Sequence, residues 1–205
     1  MSTDHLAPSA ISAAASRDSS TDNRLEPAPS PPRYVGLPRL GSYAEYPGMI
    51  RRIILCGSAP RGGEGLVFDD LSVDELNDPA ALVMKAFFTQ SEASQASGRA
   101  YLERLKSRVD DRDTSVSKPS ALAELAALRE WGVIPPSDRF AMLGKIRHPA
   151  LVVQGNKDVV VLPINAFLLA EHLPNAQLIM YPDASHGVQS QHADVFLEHA
   201  KLFLR

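Results

Sequence analysis

Two residues of the chain are placed where they could move a proton. The stretch MYPDASHGVQSQH (Met180–His192) sets His186 between Ser185 and Gly187, in a short polar turn directly after an apolar run. The stretch QGNKDVVV sets Asp158 in the corresponding place after an earlier apolar run. A carboxylate that accepts the Nδ1 proton of an imidazole fixes its tautomer and stabilises the imidazolium. Nε2 can then take a proton from a nucleophile and return it to a leaving group. Taken singly, neither residue carries that chemistry. An Asp in a strand-end turn is ordinarily a local hydrogen-bond acceptor, and a turn His is ordinarily solvated. The two in this order, at the ends of consecutive strands, favour the acid–base pair.

The elements that must hold the pair are written in the apolar pattern. MIRRIILCG (Met49–Gly57), PALVVQG (Pro149–Gly155) and AQLIMYP (Ala176–Pro182) are compact apolar runs and read as buried strands. Such strands separated by helices form a parallel sheet covered on both faces, and ligands bind outside the carboxyl ends of its strands. Helix starts are marked by Ser72–Glu75, which fits a capping box, and by Asp78-Pro79, an N-cap followed by proline. Pro163 opens a helix with Ile164, Phe167 and Leu168 expected on one face. The last helix repeats Phe196, Ala200 and Phe203. Residues from about 64 to 140 are mostly helical and interrupt the alternation, which reads as a cap or as a plain helical embellishment, with Trp131 and Met142 in its core. Before residue 43 the chain is rich in Ser, Ala and Pro, with five prolines between Pro27 and Pro38. Residues 1–42 are expected to be disordered and 43–205 to form the domain.

From about Tyr43 to Arg205 the chain resembles the C-terminal half of an α/β-hydrolase-fold protein of the AB hydrolase-1 type. The resemblance rests on EYPGMIRRIILCGSAPRGG, HPALVVQGNKDVVV, LPNAQLIMYPDASHG and FLEHAKLFL. It implies a partial α/β-hydrolase fold: three parallel strands, the sixth to eighth of that fold, with flanking helices and a helical cap insertion, behind the disordered N-terminal segment. It implies Asp158 as triad acid and His186 as triad base, in a serine-type hydrolase acting on an ester, lactone or similar carbonyl substrate through an acyl-enzyme. That chemistry needs a serine within G-x-S-x-G upstream of both residues, and the sequence contains no such motif. By resemblance the elbow belongs at roughly residues 20–30. Prolines crowd the following stretch, where one helix should run, and each would cost about 3 kcal/mol or more inside it. The expected inventory is therefore Asp158 and His186 without a nucleophile, in a chain inactive by itself.

Other residues do not fill the gap. Ser58 lies at a strand's carboxyl end in CGSAPRGG, but Cys56 and Pro60 stand where an elbow has glycines, and Ser42 in LGSYAE fails in the same way. Cys56 sits inside an apolar run and reads as core. Gly57–Gly62 fits the opening of a phosphate loop, yet Gly63-Glu64 replaces the Lys-Ser/Thr pair such a loop needs. His148, His172, His192 and His199 show no metal-ligand spacing. No cofactor is implied.

The bulk properties bound the rest. With 205 residues, a net charge of −3 and a pI near 6.1, the chain gives no electrostatic reason to expect nucleic acid or an anionic membrane as partner. Its single cysteine excludes an internal disulfide. The N-terminus lacks a basic opening and a continuous apolar core, and Asp4, Asp18 and Asp22 disfavour a transit peptide, so a cytoplasmic location is expected. Without a neighbouring nucleophile strand, the first strand should present an open edge through which the chain could self-associate. Two further readings stay open: a non-catalytic remnant or interaction module using that edge, and an enzyme whose nucleophile comes from a partner.

Overall fold

The computed structural model describes residues 50–65, 78–107 and 139–205, the backbone of 13–16, and scattered positions between 110 and 133. Among these, a four-stranded sheet runs in the order β1 (Ala13–Ser16), β2 (Arg52–Cys56), β3 (Ala150–Gly155) and β4 (Ala176–Tyr181). The three apolar runs of the sequence are β2, β3 and β4, and they are parallel, with Ile53 opposite Ala150 and Gly155 opposite Tyr181. Side chains alternate across a strand, so each run feeds two faces. Ile53, Leu55, Ala150 and Val152 join a core with Val161, Ala166, Leu169 and Leu173 on one side. Ile54, Cys56, Leu151 and Val153 join Tyr181, Val188, Ala200 and Phe203 on the other. This double burial is why β2 and β3 are mostly apolar rather than alternating; β4, expected to be buried, is covered only in part, with Gln177 and Met180 exposed.

The helices start where the sequence marks them. In α1 (Pro79–Phe87) the Asp78 side chain accepts the N–H of Ala81 at 3.0 Å, and Pro79 occupies a first-turn position whose missing N–H costs nothing. α2 (Glu92–Ser107) folds back on α1, and Val83, Phe87, Phe88 and Leu102 make a third, separate core. α3 (Ile164–His172) joins β3 to β4, and α4 (Val188–Gln191) and α5 (Ala193–Leu204) close the chain. Ala200 and Phe203 of α5 are buried and Phe196 packs against the same core, as the spacing predicts. The expected face of α3 is wrong. Asn165, Ala166 and Leu169 are buried, while Ile164 and Phe167 stand 45% and 53% exposed. The reason is polar: the Asn165 amide accepts the N–H of Glu64 and donates to its carbonyl, each at 2.8 Å, so a polar residue turns that face inward.

β1 is the second departure. It pairs antiparallel with β2, Ala13 opposite Leu55 and Ser16 opposite Arg52. The edge expected to be open is thus occupied over those residues. The remainder of 1–42, the Ser72–Glu75 box, Ser42 and Trp131 lie outside the described residues. No helix among the described residues is long and apolar enough to cross a membrane.

Gly155 ends β3 where the chain carrying His186 crosses it. A Cβ there would lie 2.3 Å from the carbonyl oxygen of Ala184 and 2.4 Å from that of Ser185, both backbone atoms that cannot swing away. Gly155→Ala is therefore expected to lower the unfolding free energy by about 3 kcal/mol, measured by urea denaturation. A loss indistinguishable from zero would mean the two turns do not meet as described.

Candidate active site

Parallel pairing brings the turns after β2, β3 and β4 to one rim of the sheet, and the two sequence-predicted residues meet there. Asp158 follows β3 in a tight turn, its N–H reaching the Gly155 carbonyl at 3.3 Å. His186 follows β4. Its Nδ1 lies 2.9 Å from Asp158 Oδ2, and both residues are only 3% exposed. The loops carrying them are joined by backbone bonds: Asn156 N–H to the Tyr181 carbonyl at 3.0 Å, and Lys157 N–H to the Ala184 carbonyl at 2.9 Å.

The carboxylate is gripped on both oxygens. Oδ1 accepts the N–H groups of Val160 at 2.8 Å and Val161 at 2.9 Å. Oδ2, which faces His186, also accepts Nε2–H of Gln154 at 2.7 Å. With Nδ1–H directed at the carboxylate, Nε2 keeps the lone pair of a neutral imidazole and is the atom that can accept a proton. The ring lies over Gly57, where φ is +54° and a Cβ would sit 2.9 Å from Nδ1 and Cε1. Only glycine suits both the left-handed backbone and the close approach. Phe87 meets the ring edge-on, with centroids 5.5 Å apart.

Gln154 is the residue that sequence reasoning missed. It is a fully buried polar side chain inside β3, and its amide also donates to the Val161 carbonyl at 2.9 Å. The available signal was one polar letter in the apolar run ALVVQG.

The remaining candidates are placed elsewhere or otherwise engaged. Ser58 is buried and its hydroxyl donates back to the Cys56 carbonyl at 3.1 Å. Burial pushes the Cys56 thiol up to about 12, far from a thiolate at neutral pH. In the glycine-rich loop, the N–H of Gly63 is used by the Pro60 carbonyl and that of Glu64 by Asn165, which leaves those two donors unavailable to a phosphate. His192 and His199 flank the Tyr181 ring, His199 Nδ1 lying 2.7 Å from its hydroxyl, and His172 stacks on Phe140. No group of three or more potential metal ligands occurs among the described residues.

A parallel sheet with an acid after one strand and a histidine after the next, hydrogen-bonded at the carboxyl rim, defines a hydrolase-type α/β architecture. The chain has a partial α/β-hydrolase fold. It is similar to an α/β-hydrolase-fold protein from Chitinophaga pinensis, with 37% identity and a TM-score of 0.74 over 80% of this chain and 60% of that one. It also matches a serine hydrolase from the polyaromatic-hydrocarbon-degrading bacterium Cycloclasticus zankles, at 21% identity and a TM-score of 0.56 over 80% and 59%. A meta-cleavage product hydrolase from Pseudomonas fluorescens follows at 15% identity and a TM-score of 0.55, again over 80% and 59%. The last two likenesses show the fold alone. The chain spans about 60% of the solved structures it matches. No protein-family model and no curated protein matches the sequence.

Two results are expected at this site. Gln154→Leu removes a donor from a buried carboxylate at nearly constant volume, and should lower stability by about 2 kcal/mol in urea unfolding; an unchanged midpoint would show the amide to be dispensable. Cys56 should resist iodoacetamide in the native protein at mildly alkaline pH and react fully once unfolded. Rapid native labelling would contradict its burial.

Proposed function

We propose that Asp158 and His186 are the acid and base of a serine-type hydrolase site acting on an ester, lactone or similar carbonyl. The observation that carries this reading is the buried 2.9 Å contact between His186 Nδ1 and Asp158 Oδ2. In the proposed reaction a serine hydroxyl attacks the carbonyl carbon while His186 Nε2 takes its proton. Collapse of the tetrahedral intermediate breaks the bond to the leaving group, which receives that proton. Water then repeats the sequence and frees the acid. Asp158 stays ionised throughout and stabilises the imidazolium.

The sequence contains no G-x-S-x-G, and Ser58 is turned back onto its own strand. In this reading the chain alone is inactive, and it works only when a nucleophile-bearing segment completes it. The absence of the motif equally supports a second reading, a non-catalytic remnant of the same family that acts by association.

The two are separated by supplying the missing part. The chain alone is expected to take up no fluorophosphonate and to leave p-nitrophenyl esters intact. Fused behind, or mixed with, a G-x-S-x-G segment of an α/β hydrolase, it should turn them over. Asp158→Asn and His186→Ala should each cut kcat by about 10³–10⁴. A completed protein that folds yet shows no turnover, or turnover indifferent to both substitutions, would favour the non-catalytic reading.

A further inference from the structure

The helical hairpin of α1 and α2 has its own core, and none of its buried apolar residues belongs to either core of the sheet. Its meeting with the site is nevertheless dense in hydrogen bonds. The last carbonyls of a helix have no partner within it, and in α1 they are taken up by the loop that carries His186. Ser185 Oγ–H donates to the Ala86 carbonyl at 2.7 Å, His186 N–H donates to the same oxygen at 3.3 Å, and Gly187 N–H donates to the Phe87 carbonyl at 2.9 Å.

A second set of contacts ties the turn between the two helices to the start of that loop. Asp183 Oδ1 accepts Thr89 Oγ–H at 2.6 Å, and Oδ2 accepts Ser91 Oγ–H at 2.5 Å. These two hydroxyls hold the Asp183 carboxyl below its ordinary range. The Asp183 carbonyl accepts Gln191 Nε2–H at 2.6 Å, and Gln191 Oε1 accepts the hydroxyl of buried Ser94 at 2.7 Å. Asp183 itself has φ +49°, a left-handed conformation that a side chain disfavours and that surrounding contacts must impose.

We propose that the α1–α2 turn is a positioning clamp for His186, with Asp183 as the residue that locks it. Asp183 sits three residues before His186, so its bonds to Thr89 and Ser91 fix where the loop leaves β4. The α1 carbonyls fix where the loop passes His186, and Phe87 fixes the ring. Asp158 can hold only the Nδ1 end of the imidazole; the clamp sets the backbone from which the ring hangs. Charge-assisted bonds from two hydroxyls to one carboxylate are the strong members of the set. Asp183 is thus a positioning residue, not a group that meets substrate. Its role follows from the geometry of His186 and stands whether or not the proposed hydrolysis does.

The test reads the imidazole directly, in the full chain and without turnover. The Nδ1–H of His186, shared with Asp158, gives a downfield proton resonance. Asp183→Ala and the pair Thr89→Val with Ser91→Ala should each shift or broaden it. Each should also speed exchange of the Gly187 amide about tenfold, with the Val160 and Val161 amides that grip Asp158 unchanged. Asp183→Asn, which keeps one acceptor oxygen, should restore most of the signal. A resonance unchanged in position and width, or an acceleration shared equally by Val160 and Val161, would overturn the clamp. Should Asp183→Ala fail to fold, the Thr89/Ser91 pair decides.

Discussion

The Asp158 carboxylate is taken out of water with donors on both oxygens: two backbone N–H groups on Oδ1, and Gln154 and His186 on Oδ2. Burying an ion of this kind costs several kcal/mol even after the protein relaxes. A hydrogen bond to a charged group returns about 1.5–3 kcal/mol, so a single donor would not hold it. Several are needed, and they must converge from β3, from the turn beyond it and from the loop after β4. The glycines follow from that requirement. Gly155 lets the His186 loop cross the end of β3, and Gly57 lets the ring approach the end of β2 closely.

Parallel strands make this convergence possible. In an antiparallel sheet, successive turns alternate between the two ends; here β2, β3 and β4 deliver all three turns to one rim. The arrangement demands crossover connections and helices on both faces, which the two sheet cores supply. At the β2 end the ladder passes to an antiparallel strand, β1, only four residues long. Such a short partner covers the edge along Arg52–Leu55 through backbone pairing.

What the sequence disclosed and what it hid divide along physical lines. β2 and β3 were legible because burial on both faces forces mostly apolar letters, β4 by its apolar run although much of it is only partly buried, and α1 because an Asp-Pro pair stood before an apolar-periodic run. Asp158 and His186 were legible because the ends of apolar runs locate the rim before any coordinate is known. β1 was not, since AAAS has no apolar alternation or β-branched residue, and its pairing is made by main-chain groups common to every residue. Gln154 and Asn165 were hidden for the opposite reason. Each is a polar residue buried by one specific partner, and no local pattern announces a partner 101 residues away, as with Asn165 and Glu64. The bond from Thr89 to Asp183, 94 residues apart, belongs with them.

The contacts that assemble the acid–base pair all lie within the chain. The donors to Asp158 come from residues 154 to 186, the seat of the ring from Gly57, and the brace of its loop from Ala86 and Phe87. None of these needs a nucleophile-bearing strand, so the pair is a self-supporting unit at the rim of β2, β3 and β4. The α1–α2 hairpin has a core of its own and meets the sheet through the His186 loop. Of the hydrogen bonds that join it to the His186 loop, those to Asp183 lie at the surface, while those from Ser185, His186 and Gly187 to the α1 carbonyls have buried donors. The acid is therefore held from the sheet and its following turn, and the base from the hairpin as well.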